Sequence, residues 1–87
     1  MATILIVEDH ALSRQVLYSL FSHMGHRVLE APDPLTALTL VQGELPDLII
    51  SDILLPTMDG IELTRKLRAT PSLQETPIIF YTARSEE

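Results

Sequence analysis

Four side chains able to do chemistry stand directly behind short apolar runs. Glu8 and Asp9 follow Ile4-Leu5-Ile6-Val7, Asp52 follows Leu48-Ile49-Ile50 after one serine, and Thr82 follows Ile78 to Tyr81. If these runs are strands of one parallel sheet, three carboxylates and one hydroxyl converge at a single edge. Two like charges about 4 Å apart repel by about 1 kcal/mol in water and by about 4 kcal/mol at an effective dielectric near 20. Three ionised carboxylates therefore require a cation. An all-oxygen donor set without His or Cys suits a hard divalent ion, and few protein ligands with open positions suit Mg²⁺, which keeps waters and binds phosphate oxygens. Such an ion offsets charge on a phosphoryl group in transfer. A carboxylate beside it can serve as nucleophile and form an aspartyl-phosphate. Thr82 could donate its hydroxyl to a phosphate oxygen.

Taken singly, an acidic residue after a strand is more often a helix N-cap or a solvated loop residue, and Asp59 is read that way. The combination of Glu8, Asp9, Asp52 and Thr82 at three strand ends carries the chemical reading. His10 is read as a loop residue at the start of the first helix, and His23 and His26, which flank Gly25, as residues finishing that helix, where a cation is favoured. Tyr81 is read as strand packing.

The elements that must position these residues follow from hydrophobic periodicity. Ile4 to Val7 is a continuous apolar run, as expected for a parallel strand covered on both faces. Leu12, Val16, Leu17, Leu20, Phe21 and Met24 recur at helical spacing, and Gly25 stops that helix. Arg27 to Ala31 is the next strand. Asp33 before Pro34 is an N-cap with proline at the first helical position, leading into a helix with Leu35, Leu38 and Val41 on one face and Gly43 at its end. Leu48 to Ile50 is a third strand. Asp59-Gly60 opens a helix carrying Ile61, Leu63, Thr64 and Leu67, and Pro71 closes that region. A fourth strand runs from Ile78 to Tyr81. Each connection is long enough for a helical crossover, which predicts a parallel sheet with right-handed crossovers. In such open α/β sheets ligands bind outside the carboxyl ends of the strands, where the strand order reverses.

Composition bounds the rest. The 87 residues, 46% hydrophobic and 21% charged, make one α/β-sized domain over 1–87. A domain of this size is held by only roughly 4–13 kcal/mol. The net charge of −6 and the scattered basic residues argue against direct nucleic-acid binding. The one local concentration, Arg65, Lys66 and Arg68, reads as a solvated helix face with cations in the last turn. There is no cysteine, so a disulfide framework and thiolate metal sites are excluded. The apolar runs are too short to span a bilayer and the N-terminus has no leader pattern, so a cytoplasmic location is expected.

These residues resemble the receiver domain of two-component response regulators. Ile4 to Asp9 is similar to that family's first strand with its acidic pair. The segment Leu-Ile-Ile-Ser-Asp-Ile-Leu-Leu-Pro-Thr-Met-Asp-Gly, Leu48 to Gly60, resembles the surroundings of the phosphorylated aspartate. Pro77 to Ala83 resembles the fourth strand with its switch threonine and following small residue. The resemblance implies a flavodoxin-like, doubly wound parallel sheet in the order 2-1-3-4. It also implies that Asp52 accepts phosphate from the phosphohistidine of a histidine kinase or phosphotransfer protein. Glu8, Asp9, Asp52 and the backbone carbonyl of Leu54 would hold Mg²⁺, while Thr82 and the Ala83 N–H would bind phosphoryl oxygens. Enzymatic content would be limited to self-phosphorylation and self-dephosphorylation.

Two departures from the family pattern stand out. Leu55 takes a position where methionine is usual, a swap of similar volume. The fourth helix, fifth strand and fifth helix of the family are expected to be missing, and with them the lysine that pairs with the phosphoryl group, since the single lysine, Lys66, falls on the third helix. Ile78 to Tyr81 is then an uncovered hydrophobic edge, which invites self-association. An incomplete receiver fold acting only as an interaction or oligomerisation module is the first alternative. The second is a phosphohydrolase resembling the haloacid dehalogenase type, which needs a second acid two residues after the nucleophile. Leu54 occupies that position.

Overall fold

The computed structural model describes residues 1–55 and 57–82. In chain order the elements are β1 (Thr3–Val7), α1 (Ala11–His23), β2 (Arg27–Ala31), α2 (Pro34–Gly43), β3 (Leu48–Asp52), α3 (Gly60–Arg68), a 3₁₀ turn (Pro71–Leu73) and β4 (Ile78–Tyr81). The strands form one parallel sheet in the order β2-β1-β3-β4. The chain thus places β2 on one side of β1 and β3 on the other. That reversal puts the topological switch point between β1 and β3.

Alternation along the strands sorts their side chains onto two faces. Leu5, Val7 and Ile49 join Ala37 and Val41 of α2 and Leu63 and Leu67 of α3 in the larger core, with Leu55, Met58 and Ile78 packed against it. Leu55 therefore fills an apolar niche, as a methionine-sized side chain should. Ile4, Ile6 and Ile50 face the other way, toward Leu17 and Phe21 of α1, with Tyr81 on the same cluster. Helices thus cover both faces of the sheet.

Local chemistry fixes the helix ends. Asp33 Oδ1 accepts from the Thr36 N–H at 2.7 Å and Asp59 Oδ1 from the Glu62 N–H at 2.9 Å, so both are the N-caps their sequence context predicts. Gly25 has φ +92°, and the bonds from its N–H to Ser22 O and from His26 N–H to Phe21 O close α1 in a Schellman motif. Arg65, Lys66 and Arg68 lie in the last turn of α3, with Arg65 and Lys66 paired to Glu62 and Arg68 bonded to the Leu73 carbonyl.

Two expectations are refined. The apolar stripe of α1 is only partly used: Leu17 and Phe21 reach the sheet, whereas Leu12 and Val16 remain 64% and 59% exposed. The stripe is wider than the part of the sheet that α1 covers. His26 does not finish the helix. It lies past Gly25, and its Nδ1 accepts from the Ala2 N–H at 3.1 Å, tying the start of β1 to the entry of β2. No helix among the described residues is long and apolar enough to cross a membrane.

Candidate phosphoryl and cation site

The strand register brings the acidic residues together. Val7 stands level with Ser51 and Asp52 with Tyr81, so β1, β3 and β4 end at the same edge of the sheet. Glu8 continues the alternation of Ile4 and Ile6, and Asp52 that of Ile50. Both carboxylates therefore emerge on the α1 face, at the switch point. Carboxylate oxygens of Glu8, Asp9 and Asp52 lie within 4.8 Å of one another. Glu8 and Asp52 are fully buried and Asp9 is half-buried.

Backbone and side-chain donors hold this group. Glu8 Oε2 accepts from the His10 N–H at 2.8 Å, and Glu8 Oε1 accepts from the Tyr81 hydroxyl. The Glu8 N–H donates to Ala31 O at 3.0 Å, and the Glu8 carbonyl accepts from Arg14 Nη1 at 2.9 Å. Arg14 also faces Glu30, with Nε 3.5 Å from Oε1, so the guanidinium bridges the end of β1 and the end of β2. After β3 the chain turns on Asp52 itself, whose Oδ1 accepts from the Leu54 N–H at 3.0 Å in an Asx-type turn. The Ile53 N–H donates to Tyr81 O at 2.8 Å, which pins that loop to the end of β4. Burial first, and the bond to Glu8 second, push the Tyr81 phenol above its ordinary range.

Thr82 is exposed and lies directly after β4, on the edge where Asp52 ends β3. Ala83 lies outside the described residues. His10 is the residue before α1, where its Nδ1 is 3.2 Å from Ser13 Oγ. Lys66 is on α3, 3.7 Å from Glu62, in an i,i+4 pair.

Sequence reasoning did not find Tyr81 or Arg14 as members of this site. Both are recognisable only after strand order and facing are known, because their spacing from Glu8, 73 and six residues, has no local periodicity. Alternation in β4 holds the one usable signal, since it places Tyr81 on the opposite face from Ile78 and Phe80.

A doubly wound parallel sheet with three acids at its switch point defines a class of α/β protein able to bind a hard cation and an anionic group at one edge. Within that class the chain belongs to the response regulator receiver domain family, whose model matches residues 4–87. The transcriptional regulatory protein AfsQ1 of Streptomyces coelicolor is 38% identical over 87 residues, which are 100% of this chain and 37% of that protein. The chemotaxis response regulator CheY4 of Vibrio cholerae superposes with a TM-score of 0.91 at 32% identity, over 99% of this chain and 72% of that one. The receiver domain of the sensor histidine kinase PA1611 from Pseudomonas aeruginosa PAO1, solved with a magnesium ion coordinated in its active-site cleft, gives 0.87 at 32% identity, over 95% and 68%. The chain spans 6%, 37% and 64% of the length of three curated relatives that it matches.

Proposed function

We propose that this chain is the phosphate-accepting module of a two-component system, with Asp52 as the acceptor. The observation that carries this reading is the cluster of Glu8, Asp9 and Asp52 oxygens within 4.8 Å at the switch point of a receiver fold. A carboxylate oxygen of Asp52 attacks phosphorus, the phosphorus–nitrogen bond of a kinase or phosphotransfer phosphohistidine breaks, and the imidazole nitrogen keeps the electron pair. The donors fit Mg²⁺, an oxygen-seeking ion that neutralises phosphoryl charge when bound. Glu8, Asp9, Asp52 and the Leu54 carbonyl would hold it. Thr82 and the Ala83 N–H would receive the phosphoryl oxygens. Phosphate on Asp52 then draws Thr82 inward and shifts the population of a surface that partners read.

Incubation with acetyl phosphate and Mg²⁺, followed by intact-mass measurement, tests the proposal. Wild type gains one phosphoryl unit and Asp52→Ala gains none. No gain in wild type, or an undiminished gain in the variant, rejects Asp52 as acceptor.

A specific observation favours a second reading, in which the chain acts through self-association. Among the described residues β4 is the outer strand of the sheet, and Ile79 on it is 51% exposed.

A further inference from the structure

Tyr81 connects strands that are not neighbours. β3 lies between β1 and β4, so strand spacing puts the backbones of β1 and β4 about 9–10 Å apart. The Tyr81 phenol nevertheless reaches across the Ile4, Ile6 and Ile50 face and donates to Glu8 Oε1. Its backbone is committed as well. Tyr81 is level with Asp52 in the β3–β4 register, and its carbonyl accepts from the Ile53 N–H. One residue thus touches the strand end of Asp52 through its main chain and the carboxylate of Glu8 through its side chain.

The Glu8 carboxylate is fully buried, and among the described residues its Oε2 accepts from the His10 N–H and its Oε1 from the Tyr81 hydroxyl. An ionised carboxylate oxygen has two lone-pair sites, so an oxygen that accepts one such bond can also face a cation or its water. Of the two donors, the His10 N–H is a backbone group that any residue but proline would supply. The phenol is a side-chain choice, and it bonds a carboxylate that has an oxygen within 4.8 Å of those of Asp9 and Asp52.

We infer that Tyr81 is a positioning residue of the cation site, aiming Glu8 at the ion and making the phenol a reporter of ion binding. This rests on the reading of Glu8, Asp9 and Asp52 as cation ligands. Outer-shell partners of metal-ligating carboxylates commonly change affinity by about 10–100-fold.

The test uses the whole chain and Mn²⁺ as the probe, with free ion measured by electron paramagnetic resonance. Y81F, which keeps the ring, weakens Mn²⁺ binding by about tenfold. E8Q also weakens it, and the Y81F/E8Q double variant binds no more weakly than E8Q alone, because Tyr81 acts through Glu8. In a Y18F background Tyr81 is the sole tyrosine. Its emission, damped by the carboxylate, rises as Mg²⁺ saturates the site, a readout that leaves Tyr81 intact. Wild-type affinity in Y81F, additive losses in the double variant, or an emission indifferent to Mg²⁺ overturns the inference. If those results come with Mn²⁺ binding that D52N abolishes, the underlying reading stands and the role of Tyr81 alone is rejected. Absence of Mn²⁺ binding in wild type rejects both.

Discussion

Gly60 lies beneath the ring of Phe80, so close that a Cβ at position 60 would stand 2.8 Å from Phe80 Cε1. Gly60 opens α3 directly after its N-cap Asp59, and Phe80 lies on β4, so this contact sets how near α3 comes to the outer strand. Phe80 also borders a mainly apolar cavity of about 540 Å³ shared with Ile53, Leu54, Ile61 and Thr64. The glycine is thus required by a close approach and not by its backbone angles.

Substituting Gly60→Ala forces the ring to move, and overpacking of this kind costs about 1–3 kcal/mol. Urea denaturation should show the loss. A G60A/F80L double variant should lose less than the sum of the two single variants, since the smaller side chain vacates the space that the new methyl needs.

The three clustered acids predict an inverse effect of neutralising Asp52. Carboxylates within 4.8 Å of one another repel, and at such separations the repulsion amounts to about 1–3 kcal/mol. Asp52→Asn keeps the Oδ1 acceptor for the Leu54 N–H and removes one charge. Without divalent cations, thermal unfolding should therefore place D52N above wild type. Saturating Mg²⁺ should shrink or reverse the difference, because the ion stabilises the wild-type cluster by mass action. A D52N protein less stable than wild type in EDTA would contradict the crowding.

Acid should destabilise the fold through Asp33 and Glu44. The backbone N–H of Thr36, foremost, holds Asp33 below its ordinary range, and the hydrogen bond from Arg27 does the same for Glu44. Arg27 is raised by the same partner. Carboxylates depressed in the folded state stabilise it above their unfolded pKa values of about 4. That contribution is lost as pH falls through the lower folded values. Chemical denaturation between neutral pH and about pH 3 should show falling stability. D33N, which keeps a capping oxygen without a titrating charge, should flatten the fall. Added salt should weaken the part due to Arg27 and Glu44, whose side chains are 50% and 38% exposed.

The outer strand gives a fourth prediction. Among the described residues β4 is the outermost strand and Ile79 on it is exposed, and hydrophobic edge strands pair with other chains unless a charge blocks them. Sedimentation velocity should show wild type associating with rising concentration, and I79K should remain monomeric over the same range. Equal sedimentation of the two proteins would remove β4 as the contact.

Much of the architecture is legible in the sequence because it rests on local chemistry. The apolar runs, the Asp33-Pro34 and Asp59-Gly60 helix starts and the Gly25 stop each follow from side chains acting within a few residues. Glu8, Asp9, Asp52 and Thr82 were legible for a related reason: in a parallel sheet all strands end at one edge, so residues placed after the strands share it whatever their separation in sequence. The flanking segment from Leu48 to Gly60 added the family.

Tertiary structure alone decided the rest. Which part of the α1 stripe is covered depends on how the helix lies on the sheet, and Leu12 and Val16 could not be told from Leu17 and Phe21 by periodicity. The contact of Gly60 with Phe80 depends on the separation of α3 and β4. The bond from Tyr81 to Glu8 requires the strand order, the register and the facing of three strands at once. Sequence determined which residues reach the sheet edge, because pattern and turn chemistry act locally. Only the packed sheet decided which of them touch, because the Tyr81 phenol meets Glu8 across an intervening strand and 73 residues of chain.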